Sequence, residues 1–401
     1  MTMPHVLILG AGVAGLAAAL QLGRAGWQVT IAERASDLRS DGYMIGLSGP
    51  GLHAVDKLGL MPRLRPMGRD IGENVYRDRA GRELIRLRYR DLLRGIDWLT
   101  LARTELVALL QEAAAPFTAL RLGTTLVRLE QDEAKVRAWL SDGSMLEADL
   151  LIGADGARSS LGRQLFGEQA GFERPLGYRA AAFRIPDRLG LGEDFLSYVE
   201  PGRVAETYQL ADGELATLYV WRTRETGFVP STERRGVLRA AFRGAHPDTL
   251  AWIDALPKEA PIYLDALTMI DRPRWSQGRA VLLGDAAHCL TLVSGQGAGM
   301  AMASACLLAQ ELQKGSVISA LARHEAKLRP SIARLQAHSQ KTASWFVPRS
   351  AIGFSLRNAA LRYTPRWLLA RHFTGAIRRE QALLGDQTVF IALGRKAPAA
   401  W

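Results

Sequence analysis

Three glycine-and-acid clusters have the residue types and spacing to hold a phosphorylated ligand. The first is Gly10-Ala11-Gly12-Val13-Ala14-Gly15, between the apolar run from His5 to Leu9 and the apolar stretch from Leu16 to Leu20. A G-x-G-x-x-G turn from strand to helix points backbone N–H groups and a helix N-terminus at a pyrophosphate. Gly10 permits the tight turn, Gly12 admits the ligand to the backbone, and Gly15 lets helix and strand approach; Val13 and Ala14 complete the contact surface. Glu33 lies 18 residues after Gly15 and ends the next apolar run, where an acid accepts ribose hydroxyls; Arg34 follows it. The second cluster is Gly153-Ala154-Asp155-Gly156, after the run Leu150-Leu151-Ile152. The third is Gly284-Asp285, followed by a helix entered at Gly295-Gln296-Gly297 and continuing through Ala298. Asp285 suits a ribityl or ribose hydroxyl. The helix end would stabilise negative charge on a ligand held there. His288 reads as a group beside that ligand or as a packed structural residue.

The elements that position these clusters follow from periodicity and breakers. Residues 34 to 51 are polar and glycine-rich, and read as a loop. A short helix follows from Leu52 to Leu58. Asn74–Arg77 and Glu83–Tyr89 read as a hairpin around Asp78-Arg79-Ala80-Gly81-Arg82. Arg103 stands at the entrance of a helix over 104–110, and strands are expected over 124–130 and 136–140. From 175 to 270 strand patterns dominate: 177–185, 195–199, 204–209 and 215–222, then helices over 233–242 and 248–256. In the last of these strands Ala216, Leu218, Val220 and Arg222 share one face, and Thr217, Tyr219 and Trp221 the other. The aromatic stripe reads as core or as pocket wall. Arg184, Tyr208, Tyr219, Trp221 and Arg222 are the candidates for that wall. The helix from Gly297 to Leu312 is rich in small residues, so something packs close to it. The remainder reads as helical, interrupted at Pro330, Pro348 and Pro365.

Composition excludes several classes. The chain has 401 residues, 48% hydrophobic and 23% charged, which suits two or three globular domains. No apolar run reaches the roughly 20 residues of a membrane span, and the apolar N-terminus lacks the basic start of a signal peptide. Two cysteines, Cys289 and Cys306, make neither a disulfide framework nor a metal site, which fits a cytoplasmic protein. The net charge of +11 is local: residues 321–379 carry twelve Lys/Arg against Glu325, and the rest of the chain carries 39 of each sign. Residues 351–371 alternate apolar and basic side chains. They read as a segment lying on an anionic membrane, or as one packed on the dinucleotide-binding part with its arginines in solvent. Nucleic acid is not expected, because the charge lacks a binding-fold context.

The set Gly10-x-Gly12-x-x-Gly15…Glu33, Arg103-x-x-Leu106, Gly153-Ala-Asp155-Gly156-x-Arg158-Ser159 and Gly284-Asp285-Ala-Ala-His288…Gly295-Gln296-Gly297 resembles the class A flavin monooxygenases of the para-hydroxybenzoate hydroxylase type. Within them, the stretch beginning Phe183-Arg-Ile-Pro186 and the helical tail are similar to the tetracycline destructases and polyketide-tailoring hydroxylases. The resemblance implies an α/β fold: a Rossmann-like FAD-binding domain interrupted by an antiparallel β-sheet substrate domain, plus C-terminal helices. The FAD domain would take residues 1–71, 99–174 and 271–320, the substrate domain 72–98 and 175–270, and the basic helical region 321–401. FAD is the implied cofactor and NAD(P)H the transient reductant. Glu33 would then meet the adenosine ribose, Arg103 the pyrophosphate or ribityl chain, and Asp285 the ribityl chain. Asp155-Gly156 would serve both FAD and the pyridine nucleotide.

Two positions depart from that pattern. Leu292 stands where the family has Pro, which keeps the backbone carbonyl and loses its rigidity. Ser48 stands where some destructases carry Arg. The expected activity is hydroxylation of an aromatic or polycyclic phenol or enol with O2, through a flavin C4a-hydroperoxide. The other readings are a flavin reductase or oxidase of the same fold, and a flavin-binding protein of the membrane surface.

Overall fold

The computed structural model describes residues 3–38, 44–69, 71–92, 97–167, 172–187, 190, 192–210, 213–290, 295–348, 350–365 and 368. Its first sheet runs in the order Ser276–Gln277, Ala280–Leu282, Leu150–Gly153, His5–Leu9, Gln28–Ala32, Thr118–Arg121. All neighbours are parallel except the first pair. Parallel strands are covered on both faces, so they read as unbroken apolar runs. The helices Val13–Arg24, Arg103–Ala114 and Gly297–Leu312 join this sheet in one large core.

The second large sheet runs Tyr263–Ile270, Glu173–Pro186, Glu214–Arg222, Arg203–Gln209, Phe195–Glu200, Glu73–Arg77, Glu83–Arg88. Its pairs are antiparallel except Phe195–Glu200 with Glu73–Arg77. The hairpin read from the sequence therefore forms one edge of this sheet. Helices Ser231–Ala241 and Pro247–Ala255 cover one face and bury Tyr219, Phe183, Trp221 and Trp252.

Three expectations are corrected. The stretch from 34 to 51 is not all loop: Met44–Ser48 is a strand paired antiparallel with Trp98–Ala102, and a helix starts at Pro50. The partner strand lies some fifty residues away, so no local pattern reveals it. Pro330 does not interrupt the tail: one helix runs from Val317 to Phe346 through it. Leu328, Ile332 and Leu335 are buried against the core on both sides of the proline, and their burial outweighs the lost N–H. The third concerns the next helix, Ala351–Tyr363, which lies against strand Glu83–Arg88 at the edge of the second sheet rather than on the dinucleotide-binding part. Phe354 packs there with Val347 and the sheet residues Tyr178, Val199, Val204 and Val220. Trp367 lies outside the described residues. Among the described residues no helix is long and apolar enough to cross a membrane.

The basic tail is tied to the core by a buried acid. Glu311, fully buried near the end of helix Gly297–Leu312, accepts from Lys314 and Lys327 at 2.7 Å and from Arg323 Nε at 2.8 Å. Burial alone would push its carboxyl up; the three cations outweigh burial and hold it down at about 2. Its folded value lies below its unfolded one, so the stability it contributes is present above about 4.5 and is lost as pH falls toward 2. The cations are about a third or more exposed, which discounts the pairs. Glu311→Gln is expected to cost about 2 kcal/mol and lower the melting temperature by a few degrees at pH 7, with the difference shrinking toward pH 3. Thermal unfolding followed across that pH range checks this.

Candidate functional site

Strands His5–Leu9, Leu150–Gly153 and Ala280–Leu282 end in register: Leu9 pairs with Gly153, and Gly153 with Leu282. Their three following loops therefore emerge side by side at the carboxyl edge of a parallel sheet, where such sheets bind ligands. The loops are in van der Waals contact. Gly10 has φ +100°, and a Cβ there would sit 2.4 Å from the Ala154 carbonyl oxygen. A Cβ on Gly15 would sit 2.0 Å from the Gly10 oxygen, and one on Gly284 2.9 Å from the Ala14 Cβ. The third loop thus rests on the first helix. Val13 and Ala14 are buried in that contact.

Glu33 spans the base of the first turn. Its Oε2 accepts from Ala11 N at 2.7 Å and its Oε1 from Ala35 N at 2.8 Å. Arg34 beside it is exposed. Asp155 Oδ2 accepts from Ser160 N and Oγ and, with Ser159 as N-cap, starts helix Ser160–Phe166. Its Oδ1 is buried with no hydrogen-bond partner. Gly156 follows at φ +81°.

Asp285 opens the four-residue helix Asp285–His288. Its side chain reaches solvent, yet enough protein crowds it that burial pushes its carboxyl up, while the charge of Arg103 acts in the opposite sense. Arg103 begins helix Arg103–Ala114, so the end of strand Trp98–Ala102 delivers it there. Gln296, the N-cap of helix Gly297–Leu312, is buried, with Nε2 3.4 Å from Ser48 Oγ. Two glycines let this helix approach: Cβ atoms on Gly51 and Gly299 would each come within about 3 Å of the other's Cα. That is the close contact its small residues called for. Residues Leu292 to Ser294, between His288 and Gly295, lie outside the described residues.

The residues present fit a dinucleotide. A Cβ on Gly12, Gly156, Gly295 or Gly297 would meet no protein atom within 4 Å, whereas Gly10, Gly15 and Gly284 are hemmed in by protein. The first set faces open space and the second set packs the loops.

His288 is not a titrating group at neutral pH. It is buried against Trp275, 4.9 Å between ring centroids. Burial first, and then the neighbouring His324, hold its value down at about 3. Cys289, next to it, has its thiol pushed up by burial and by Asp285.

The pocket-wall candidates separate. Tyr219 and Trp221 are core: Tyr219 stacks on Phe183, meets Phe242 edge-on, and donates to Thr249 O at 2.7 Å beneath the covering helices. Tyr208 is on the opposite face, where its hydroxyl accepts from Met44 N and its ring packs with Phe195, Ala216 and Ala102. Arg184 is on that face too, paired with Glu214, and Arg222 lies at the far end over the Tyr178 ring. Ribbon Met44–Ser48/Trp98–Ala102 therefore touches Gln296 at Ser48 and Tyr208 at Met44, and hands Arg103 to Asp285.

The family model described as FAD binding domain matches residues 3–212. The chain belongs to that family. It is 32% identical over 388 residues to the 2-heptyl-3-hydroxy-4(1H)-quinolone synthase of Pseudomonas aeruginosa, covering 92% of this chain and 98% of that protein. It is 32% identical over 319 residues to the 6-hydroxynicotinate 3-monooxygenase of Bordetella bronchiseptica, covering 76% and 82%. The crystal structure of the tetracycline destructase Tet(55) shares its fold, with TM-score 0.78 and 23% identity over 93% of this chain and 97% of that one. The protein is an FAD-dependent oxidoreductase among flavin-dependent monooxygenase relatives, as its sequence resemblance implied.

What the sequence reading missed on this flavoprotein lies on the Tyr208 face. Glu206, Ser197, Asn74, Tyr76 and Tyr89 form a polar group there. The signal was present in Val204-Ala205-Glu206-Thr207-Tyr208, an acid at an inward position of an apolar strand.

His288 and His324 refuse protons that the unfolded chain accepts, at values of about 3 and 4. Stability is thus expected to fall as pH drops below about 6.5, and His288→Leu to flatten that slope by roughly one proton, about 1.4 kcal/mol per pH unit. Melting temperatures of the two proteins between pH 5 and 7 test this.

Proposed function

We propose that this enzyme is a monooxygenase that uses NAD(P)H and O2 to hydroxylate an aromatic or fused-ring small molecule bearing a phenol or enol. The observation that carries the reading is the shared wall. One two-stranded ribbon borders the cofactor loops at Ser48 and Arg103 and the Tyr208 face of the seven-stranded sheet at Met44. A ring resting on that face lies next to the redox group. The domain division that follows assigns 1–71, 99–174 and 271–320 to FAD, and 72–98 and 175–270 to the substrate.

Bound FAD supplies electron transfer from the nicotinamide and activation of O2. This chain's residues do the rest. The Gly10–Gly15 turn presents N–H groups to the pyrophosphate. Glu33 holds the turn through Ala11 and accepts from the adenosine ribose. Asp285 accepts from the ribityl chain, with Arg103 balancing charge beside it. The N-terminus of helix Gly297–Leu312, including Ala298, favours negative charge on the ring. The sheet face and the ribbon exclude water and orient the substrate. Neither His288 nor Cys289 is in a state to act as a base or nucleophile. Both cysteines are free thiols, as in a cytoplasmic enzyme.

Both curated relatives are named for nitrogen-containing rings carrying an oxygen substituent. Such a ring suits a face floored by Ala182 and Ala216, and a tetracycline is the alternative to include. A substrate panel scored by stimulated NAD(P)H consumption and by product mass under labelled O2 tests the reading. One atom of label in the product is expected. Reduction without label, or consumption that yields only peroxide, overturns it in favour of a reductase or oxidase.

The two kinds of glycine give a sharper check on the cofactor site. Gly12→Val points into open space and is expected to leave melting of the flavin-free protein unchanged while weakening FAD binding at least about tenfold. Gly15→Ala drives a Cβ into the Gly10 carbonyl and is expected to lower both. Flavin titration and thermal melts of the two variants separate these outcomes.

A further inference from the structure

The face of the seven-stranded sheet opposite helices Ser231–Ala241 and Pro247–Ala255 is ordered in rows, and Leu218 and Tyr76 are its partly exposed members in the middle row. Tyr208 lies opposite Ala216 and Phe195 in the row nearest the ribbon. The next row outward is Ala182, Leu218, Glu206, Ser197 and Tyr76. The third row, with Ala180, Val220, Val204 and Val199, is roofed by Val347 and Phe354 of the tail. Glu206 therefore stands midway between the redox end and the tail, on a floor of small and apolar side chains.

Glu206 is 5% exposed. Ser197 Oγ lies 3.2 Å from its Oε1 and 3.0 Å from Asn74 Oδ1. Ser197 is the one hydrogen-bond donor to this carboxylate among the described residues, and it is on Oε1. The Asn74 amide nitrogen, also buried, completes no hydrogen bond, although the Tyr89 phenol lies beside it. The Tyr76 and Tyr89 phenols lie beside each other. Burial pushes both phenols up, so they remain neutral. Among the described residues the cation felt by this group is Arg357 of the tail helix, through Tyr76. Among the described residues no cation is paired with Glu206 itself. Burial pushes its carboxyl up to about 7.

A leucine would fill this position without the desolvation cost of a carboxyl. An acid retained there, with one hydroxyl donor among the described residues and an unmet amide nearby, is a recognition group waiting for a partner. We propose that Glu206 is the specificity-determining acceptor for the ring N–H or O–H of an uncharged substrate, and that it turns the pocket against rings that bring a carboxylate to this face. The assignment rests on the substrate face given under the proposed function. An N–H donating to the ionised carboxyl makes a charge-assisted bond. A substrate carboxylate in the same place meets a like charge in a poorly solvated site. Affinity for the uncharged ring therefore rises as Glu206 ionises, through about pH 7.

The test uses the flavin-loaded enzyme and two probes: 4-hydroxyquinoline, uncharged in its N–H tautomer, and its 2-carboxylate. Dissociation constants are read from the change in flavin absorbance between pH 6 and 8.5. The wild type is expected to bind the uncharged ring at least about tenfold tighter at pH 8, with affinity rising several-fold from pH 6. Glu206→Gln keeps an acceptor oxygen and is expected to bind within about threefold, with no pH dependence and little discrimination. Glu206→Leu loses about tenfold in affinity. Equal or tighter binding of the carboxylate by the wild type overturns the proposal. So does pH dependence that survives in Glu206→Gln, the result expected of a merely structural acid, and so does failure of both rings to bind. Discriminating binding without oxygen incorporation into any ring would support Glu206 and overturn the monooxygenase reading instead.

Discussion

Everything at the cofactor edge depends on the distance between Gly10 and the Ala154 carbonyl. Three parallel strands end level, so their loops must share a few ångströms of width. Only glycine at 10, with φ +100°, lets the first loop turn beside the second. Gly15 then lets the helix start directly over that turn, and Gly284 lets the third loop settle on Ala14. Side chains at these places would separate the loops and the cradle with them. Glu33 and Asp285 become useful only after this contact is made, because each stands beside a loop whose position the glycines set.

A second constraint passes the geometry on to the other sheet. Gly51 and Gly299 bring the helix after strand Met44–Ser48 against helix Gly297–Leu312. That contact seats the ribbon. From the ribbon, Arg103 faces Asp285 on one side and Met44 meets Tyr208 on the other. The sheet that carries the Tyr208 face is thus registered to the cofactor loops through two strands and one pair of glycines. Its opposite face is sealed by helices over Tyr219, Phe183 and Trp252, so those helices leave the Tyr208 face uncovered.

These layers differ in how far the sequence discloses them. The three loops were legible because their demands are local: a positive φ, a strand end and a helix start leave glycine and acid at fixed spacing. The alternation in 215–222 was legible too, and it sorted Tyr219 from Ala216 correctly. Which face would be covered was not, since that is decided by helices at 231–255 and by the tail. Strand Met44–Ser48 escaped notice for the same reason: its partner is distant in sequence and its own residues look like a loop. Pro330 misled because a proline weakens a helix locally, whereas Leu328, Ile332 and Leu335 hold it through tertiary burial.

The buried charges divide the protein's labour. Around Asp285 the neighbours cannot exchange protons near neutrality: burial keeps His288 neutral and keeps the Cys289 thiol protonated. That end of the site is built to bind and to stay unreactive, as suits a place where a redox cofactor does the chemistry. At the tail, Glu311 is ionised and fully spent on three cations, which makes it a fastener. Glu206 differs from both. It is buried, meets no counter-charge among the described residues, and shares a sheet face with Tyr208 two residues away. Its ionisation is therefore open to whatever occupies that face. A proton-sensitive group is tolerable there, one row away from the ribbon, because it is separated from the cofactor edge that must not titrate.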